Sequence, residues 1–148
     1  LAQTLSQAGL TATAVDDIRQ RLWQKLAVNA TINPLVALNG VRNGELRGEA
    51  YAGRVVAVVK EVAAIMLAKG IEPPNNGQGE AAWLALVWQV IDNTANNKAS
   101  MLQDVEAKRP TEREAILGPL IESAERYGLA YEVLQRLNDE LAEVEASF

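Results

Sequence analysis

Lys25, Asn29 and Asn33 recur every four residues in Trp23–Leu35 (WQKLAVNATINPL), a run that is otherwise mostly apolar or small. On a helix, residues four apart lie about 40° apart around the axis and about 6 Å along it, so the three polar heads form one slowly drifting stripe. Leu22, Leu26 and Ala30 border that stripe, which predicts a place against the core rather than out in solvent. An ammonium and two amides placed there require partners or a ligand, because polar groups buried unpaired are costly. A partly desolvated Lys25 would donate a hydrogen bond, and eventually a proton, to a substrate oxygen, and desolvation would lower its pKa towards a useful range. The competing reading is a lysine that snorkels to solvent or meets a carboxylate, the commoner fate of a lone lysine.

The other candidates are weaker one by one. Asn29 and Asn33 would orient a substrate hydroxyl or carbonyl, although Asn33, just before Pro34, suits a helix end equally well. Asn43 precedes Gly44 and reads first as a turn residue. Ser100 could cap the following turn or hold a carboxylate through its hydroxyl. Glu112 falls in a first helical turn, where the dipole favours an acid in any case. Spacing does not show that these residues meet.

Composition removes whole classes of chemistry. The 148 residues include no Cys and no His, which excludes disulfides, thiolate and imidazole metal ligands, cysteine nucleophiles and a Ser-His-Asp triad. No acidic metal constellation, glycine-rich dinucleotide fingerprint or phosphate loop is present, so no metal is expected and no dinucleotide site within this chain. A net charge of −5 argues against nucleic acid. No apolar run approaches the roughly 20 residues that span a bilayer, so no membrane partner is expected, and the absence of Cys fits the expected cytoplasmic setting. The length suits one domain with a sizeable core. The first residue is Leu1 rather than Met, which reads as an excised fragment.

Several elements must position the candidates. Leu1–Gly9 reads as the last turns of a helix closed by Gly9, and Leu10–Val15 as an extended segment. Asp16 would cap a helix whose core side is Ile18, Leu22, Trp23, Leu26 and Ala30, with a break near Asn33 forced by Pro34. Glu45–Lys69 is the longest periodic stretch, apolar nearly all round and hence central, and Gly70 stops it. Ile71–Gly79 reads as a loop and Glu80–Asn93 as a helix, followed by a turn or short helix over Met101–Val105. Thr111-x-x-Glu114 is a capping-box pattern opening a helix to about Tyr127, kinked at Gly118-Pro119 and ended by Gly128. Leu129–Phe148 carries a last helix with Leu134, Leu137, Leu141 and Val144 inward. With no hairpin signals, the expected class is all-α, a multi-helix bundle.

Two blocks taken together are more specific than any single motif. WQKLAVNATINPLVALNGVRNGEL (23–46) followed by NKASMLQDVEAKRPTE (97–112) resembles the C-terminal domain of the ketopantoate reductase (2-dehydropantoate 2-reductase) family, in content, order and separation. The resemblance runs from about residue 10 to the end and implies the helical fold of the C-terminal domain of the 6-phosphogluconate dehydrogenase-like reductases. It divides the chain into residues 1–14, the remnant of an absent N-terminal Rossmann domain, and residues 15–148, the helical substrate-binding and catalytic domain. It implies NADPH-dependent reduction of 2-dehydropantoate to pantoate, on the route to coenzyme A, with NADP bound mainly by the absent domain and the active site between domains. Lys25 matches the family's catalytic lysine. Asn29, Asn33 and Asn43 match its substrate-contacting asparagines, Ser100 the serine near the substrate carboxylate, and Glu112 the glutamate on the cofactor-ribose side. The partners implied are a 2-keto acid, the protein's own Rossmann domain and, through helices able to pair across a two-fold, a second copy.

Three positions depart from the family pattern. Lys98-Ala99 precedes Ser100 where a small residue or second serine is usual, Leu117 replaces a common asparagine, and Arg113 replaces a usual apolar residue. These leave open a related reductase acting on another 2-keto acid. An alternative of another class is a helical dimerisation module without an active site, in which Lys25, Asn29, Ser100 and Glu112 would point to unrelated surfaces.

Overall fold

The structure, a computed structural model, describes the backbone of residues 2–148 and the side chains of residues 15–148. Its α-helices are α1 (Ala2–Asn39), α2 (Glu49–Lys69), α3 (Gly79–Asn93), α4 (Ser100–Glu106), α5 (Arg113–Tyr127) and α6 (Glu132–Ala146), with short 3-10 turns at Asn43–Arg47 and Pro74–Asn76. No strand occurs among the described residues, and the fold is the expected all-α bundle. No helix is long and apolar enough to cross a membrane among them.

The other helices pack around α1, which touches α2, α3, α4, α5 and α6. Residues 28–37 of α1, VNATINPLVA, carry no charge, and Ala30, Thr31, Leu35 and Val36 are fully enclosed. The central element is therefore this stretch, not α2 as the sequence suggested. One side of α2 supplies Val55, Val58, Val62, Ile65 and Met66 to the core, but Leu67 on its other side is 81% exposed.

Two expected breaks in α1 are absent. The helix runs unbroken through Gly9 and through 10–15, expected to be extended; Leu1 lies outside the described residues. A lone strand has no ladder to join, whereas a helix satisfies its own backbone. It also continues through Pro34 to Asn39. Proline removes the bond to the Ala30 carbonyl, at a usual cost of about 3 kcal/mol. Here Pro34, Leu35, Val36 and Ala37 are all buried, and the Thr31 hydroxyl donates to the Ala27 carbonyl at 2.9 Å. Packing outweighs the local penalty. The same holds for α5, helical through Gly118-Pro119, where the Ser123 hydroxyl donates to the Pro119 carbonyl at 2.8 Å.

At about 1.5 Å per residue, α1 is roughly 57 Å long and outreaches helices of about half its length. Ile18 (56% exposed) and Leu22 (62%) lie on the outward side of α1, contrary to their expected core role. Their neighbours meet the bundle: the Arg19 guanidinium donates to the Lys69 carbonyl (3.1 Å), and the Gln20 side-chain oxygen accepts from the Glu72 N–H (2.8 Å). The Lys69 ammonium lies 4.1 Å from the centre of the Trp23 ring. Burial, then the nearby Arg19 and Arg126 charges, hold that ammonium's pKa below its ordinary value, against a smaller opposing pull from Glu122.

The helix stops fall where expected. Gly70 (φ 73°) and Gly128 (φ 66°) adopt the left-handed conformation that closes α2 and α5. The capping box at Thr111 does not form. Glu112 occupies the cap of α5, and the Thr111 hydroxyl turns instead to Glu145 on α6, a charged acceptor stronger than a backbone cap.

Candidate active site

Lys25 and Asn29 line the same open cleft, about 350 Å³ in volume, between α1 and α3. Val28 of α1 with Leu86 and Val90 of α3 forms its apolar part, and Arg21 and Gln24 complete the lining. The four-residue spacing does place both polar heads on one surface, as the stripe implied. Arg21, one turn earlier, extends the stripe and brings a second cation into the cleft. Its i, i+4 partner Asp17 stands at 3.2 Å, with both side chains mostly exposed, so this pair holds it only weakly. Arg21 carries the same four-residue spacing in the sequence, one turn before Lys25, and the stripe read there did not include it.

The stripe is not pressed against the core. Lys25 is exposed and Asn29 and Asn33 are half-buried, while Ala27, Val28, Ala30 and Thr31 take the buried face. Leu22 fails as a border because its side chain is 62% exposed, on the outward side of α1. Any desolvation of the Lys25 ammonium must therefore come from something that covers the cleft. Asn33 sits one turn further along and does not line the cleft.

Asn43 is held differently. It opens the 3-10 turn after α1, which is tied to the loop between α3 and α4. Asn43 N–H donates to the Asn97 carbonyl (3.2 Å), Gly44 N–H to that of Ala95 (2.9 Å), and the Arg42 guanidinium to that of Asn96 (2.6 Å). Gly44 permits this closeness, since a Cβ there would lie 2.8 Å from the Ala95 Cβ and 3.0 Å from its Cα and carbonyl oxygen. On the turn's far side, Arg47 forms a two-pronged pair with Asp92 (2.9 and 2.7 Å) and stacks 4.5 Å over Trp88. That hydrogen bond raises the arginine's pKa and lowers the aspartate's.

The Asn43 amide has one chemically consistent orientation. The Thr94 hydroxyl has a single proton and donates it to the Val90 carbonyl at 2.6 Å. It can therefore only accept from Asn43, whose Nδ2 lies 2.9 Å away. Asn43 Oδ1, buried and without a hydrogen-bond partner among the described residues, remains an acceptor. It is suited to a hydroxyl or other donor rather than to a carboxylate. Thr94 is a second residue that sequence reasoning did not single out, because a relay across 51 residues leaves no local signal.

Ser100 begins α4, exposed, three residues beyond the Asn97 carbonyl that Asn43 holds. α4 packs along α1 through buried Met101 and Leu102. The backbone straps thus bring the Asn43 and Ser100 segments together at one end of α1. Glu112 stands apart, exposed at the corner between α4 and α5 and outside the cleft. The cleft itself gathers Lys25 and Asn29 and not Asn33, Asn43, Ser100 or Glu112. Groups of acidic residues able to hold a metal ion are absent among the described residues.

Comparison with known proteins gives this geometry a context. A family model described as the C terminal of ketopantoate reductase PanE/ApbA matches residues 17–145. A 2-dehydropantoate 2-reductase of Vibrio cholerae is 37% identical over 148 residues, which are 100% of this chain and 48% of that one. A 2-dehydropantoate 2-reductase of Salmonella typhi is 40% identical over 133 residues, covering 90% of this chain and 42% of its own. The chain spans about half the length of the curated relatives it matches. Among solved structures, a probable 2-dehydropantoate 2-reductase from Bacillus subtilis superposes with a TM-score of 0.72 at 35% identity, over 82% of this chain and 39% of that one.

Proposed function

Because the chain belongs to the ketopantoate reductase family, as its C-terminal domain, we propose that it is the substrate-binding and catalytic half of an NADPH-dependent 2-dehydropantoate 2-reductase. The observation that carries this reading is that Lys25 and Asn29 share one cleft with an apolar floor. An ammonium for an oxygen, an amide for orientation and aliphatic walls suit a small, partly apolar keto acid. A second domain covering the cleft would supply the desolvation that this chain alone does not.

In the reaction the keto carbon gains a hydride and its oxygen gains a proton, giving the 2-hydroxy acid. Bound NADPH supplies the hydride. The Lys25 ammonium donates a hydrogen bond to the keto oxygen, offsets the negative charge developing there and passes it a proton. Uncovering of the cleft between turnovers would return the Lys25 amine to solvent for reprotonation. Asn29, Asn33 and Asn43 are the substrate-contacting asparagines of this reading, and the Ser100 hydroxyl meets the carboxylate. Glu112 fits the cofactor side: its carboxylate is exposed and has no hydrogen-bond partner among the described residues, so it can accept from a ribose hydroxyl. The same reading places residues 1–14 at the junction with a Rossmann domain, allows a homodimer through the helical domain, and sets the protein in the cytoplasm.

The test uses the full-length protein and a panel of 2-keto acids. Reduction of 2-dehydropantoate ahead of the panel is expected, with Lys25→Ala lowering kcat by about 10²-fold or more while the fold persists. Turnover in Lys25→Ala equal to that of the unaltered protein would remove the lysine from the mechanism, and preference for another keto acid would reassign the substrate.

A further inference from the structure

We infer that Glu145 is a positioning residue for Glu112: a single carboxylate on α6 grips the residues on both sides of Glu112 and sets the direction in which its side chain leaves the corner. The inference rests on the cofactor-side role proposed for Glu112.

The grip is specific in its geometry. One carboxylate oxygen of Glu145 accepts from both the Thr111 backbone N–H (2.6 Å) and the Thr111 hydroxyl (2.5 Å). The other oxygen accepts from Arg113 Nε at 3.1 Å. Arg113 also donates through Nη1 to Asn138 Oδ1 at 2.9 Å, two turns back along α6. The Arg113 and Glu145 side chains are each 19% exposed, whereas Glu114, 3.7 Å from the same guanidinium, is 83% exposed and adds little.

Glu112 sits between these two fixed points. Its φ of −87° and ψ of 29° belong to neither a helix nor a strand. Its carbonyl accepts the first turn's bond from Ile116 N–H at 3.0 Å. Glu145 thus holds the Thr111 N–H and hydroxyl and the Arg113 side chain, and the Arg113 N–H donates in turn to the Thr111 hydroxyl at 3.4 Å. The two residues that flank Glu112 are tied to α6 and to each other, which restricts where its side chain can point. Upstream, Lys108 takes a left-handed φ of 56°, a conformation that non-glycine residues adopt rarely, so the corner is already a shape that local sequence does not favour. A grip reaching across 32 to 34 residues therefore holds what the local chain would not. Arg113, which departs from the usual apolar residue of the family, becomes intelligible as the second handle.

The experiment measures the Kd for NADPH by fluorescence titration, together with kcat and melting temperature, in the full-length protein. The variants are Glu112→Ala, Glu145→Ala, Glu145→Gln and the Glu112→Ala/Glu145→Ala double variant. Glu145→Ala is expected to weaken NADPH binding about three- to tenfold with a smaller change in kcat, and Glu112→Ala by about tenfold or more. The double variant should bind no worse than Glu112→Ala alone, since a residue that acts through another adds nothing once that other is gone. Glu145→Gln, which keeps an acceptor for Thr111, should recover part of the loss. Additive losses, or a lower melting temperature with unchanged NADPH affinity in Glu145→Ala, overturn the positioning role while leaving that of Glu112 intact. Unchanged affinity in Glu112→Ala overturns the cofactor-side reading and the proposal with it. Should Glu145→Ala fail to fold, Thr111→Val and Arg113→Leu release the two handles separately and are judged by the same cycle.

Discussion

Replacing Glu61 by alanine should be among the most damaging single changes in this domain. Glu61 is a charged residue on α2 that is only 9% exposed, and no cation pairs with it among the described residues. Its two oxygens instead accept from the backbone N–H groups of Val133 (3.0 Å) and Leu134 (2.9 Å), in the first turn of α6. α6 has no side-chain cap of its own, so a residue 72 positions upstream performs that task and adds a negative charge at the positive end of the helix. Alanine would leave two N–H groups without an acceptor, one of them on fully buried Leu134. At about 1–3 kcal/mol for each unsatisfied group, plus the dipole contribution, the expected loss is about 3–5 kcal/mol. Glutamine keeps one acceptor but turns an NH2 towards the other donor, so a loss of about 2 kcal/mol is expected. Against a typical total of 5–15 kcal/mol, the alanine variant approaches unfolding. Urea titration followed by far-UV circular dichroism measures the difference, and the melting temperature should fall by about 10 °C or more. A loss below about 1 kcal/mol in Glu61→Ala would refute the cap. So would unchanged hydrogen-exchange protection at the Leu134 amide.

Other expectations follow from the same contacts. Gly44→Ala drives a Cβ into the Ala95 backbone and should cost about 1–3 kcal/mol by urea titration, while weakening substrate affinity through Asn43. Desolvation raises the pKa of the Glu145 carboxyl, but hydrogen bonds from Thr111 and then Arg113 outweigh it and leave the pKa below the ordinary value. A group depressed on folding contributes stability above its unfolded pKa and loses it as pH falls through the folded one. Melting temperature should therefore drop on acidification below about pH 4.5, and less steeply in Glu145→Gln. Lys25→Ala, at an exposed position, should change stability by no more than about 0.5 kcal/mol, separating its proposed kinetic role from any structural one.

Much of the element plan was legible in the chain because its signals are local. Gly70 and Gly128 stop helices since a left-handed residue is cheapest as glycine, and the inward leucines of α6 (Leu134, Leu137 and Leu141) follow the helical period. Val144, also expected inward, is only half-buried, in the last turn of α6. Pro34 shows the limit of such signals. Local geometry predicts a break there, and the burial of Leu35 and Val36 against several other helices overrides it.

By itself, the sequence determined that the chain is helical, that Lys25 and Asn29 share a face, and that thiol and imidazole chemistry are excluded. Helical period and composition are properties of neighbouring residues, so they survive without a fold. Only the tertiary structure decided how exposed that face is, since the other helices cover the side of α1 that holds Ala27, Ala30 and Thr31 and leave Leu22 and Lys25 in solvent. It also decided the polarity of the Asn43 amide, through a Thr94 hydroxyl with one proton to give. The cap of α6 by Glu61 and the grip of Glu145 on Thr111 and Arg113 are of the same kind. Each joins residues tens of positions apart, where no spacing rule applies and only packing brings donor and acceptor together.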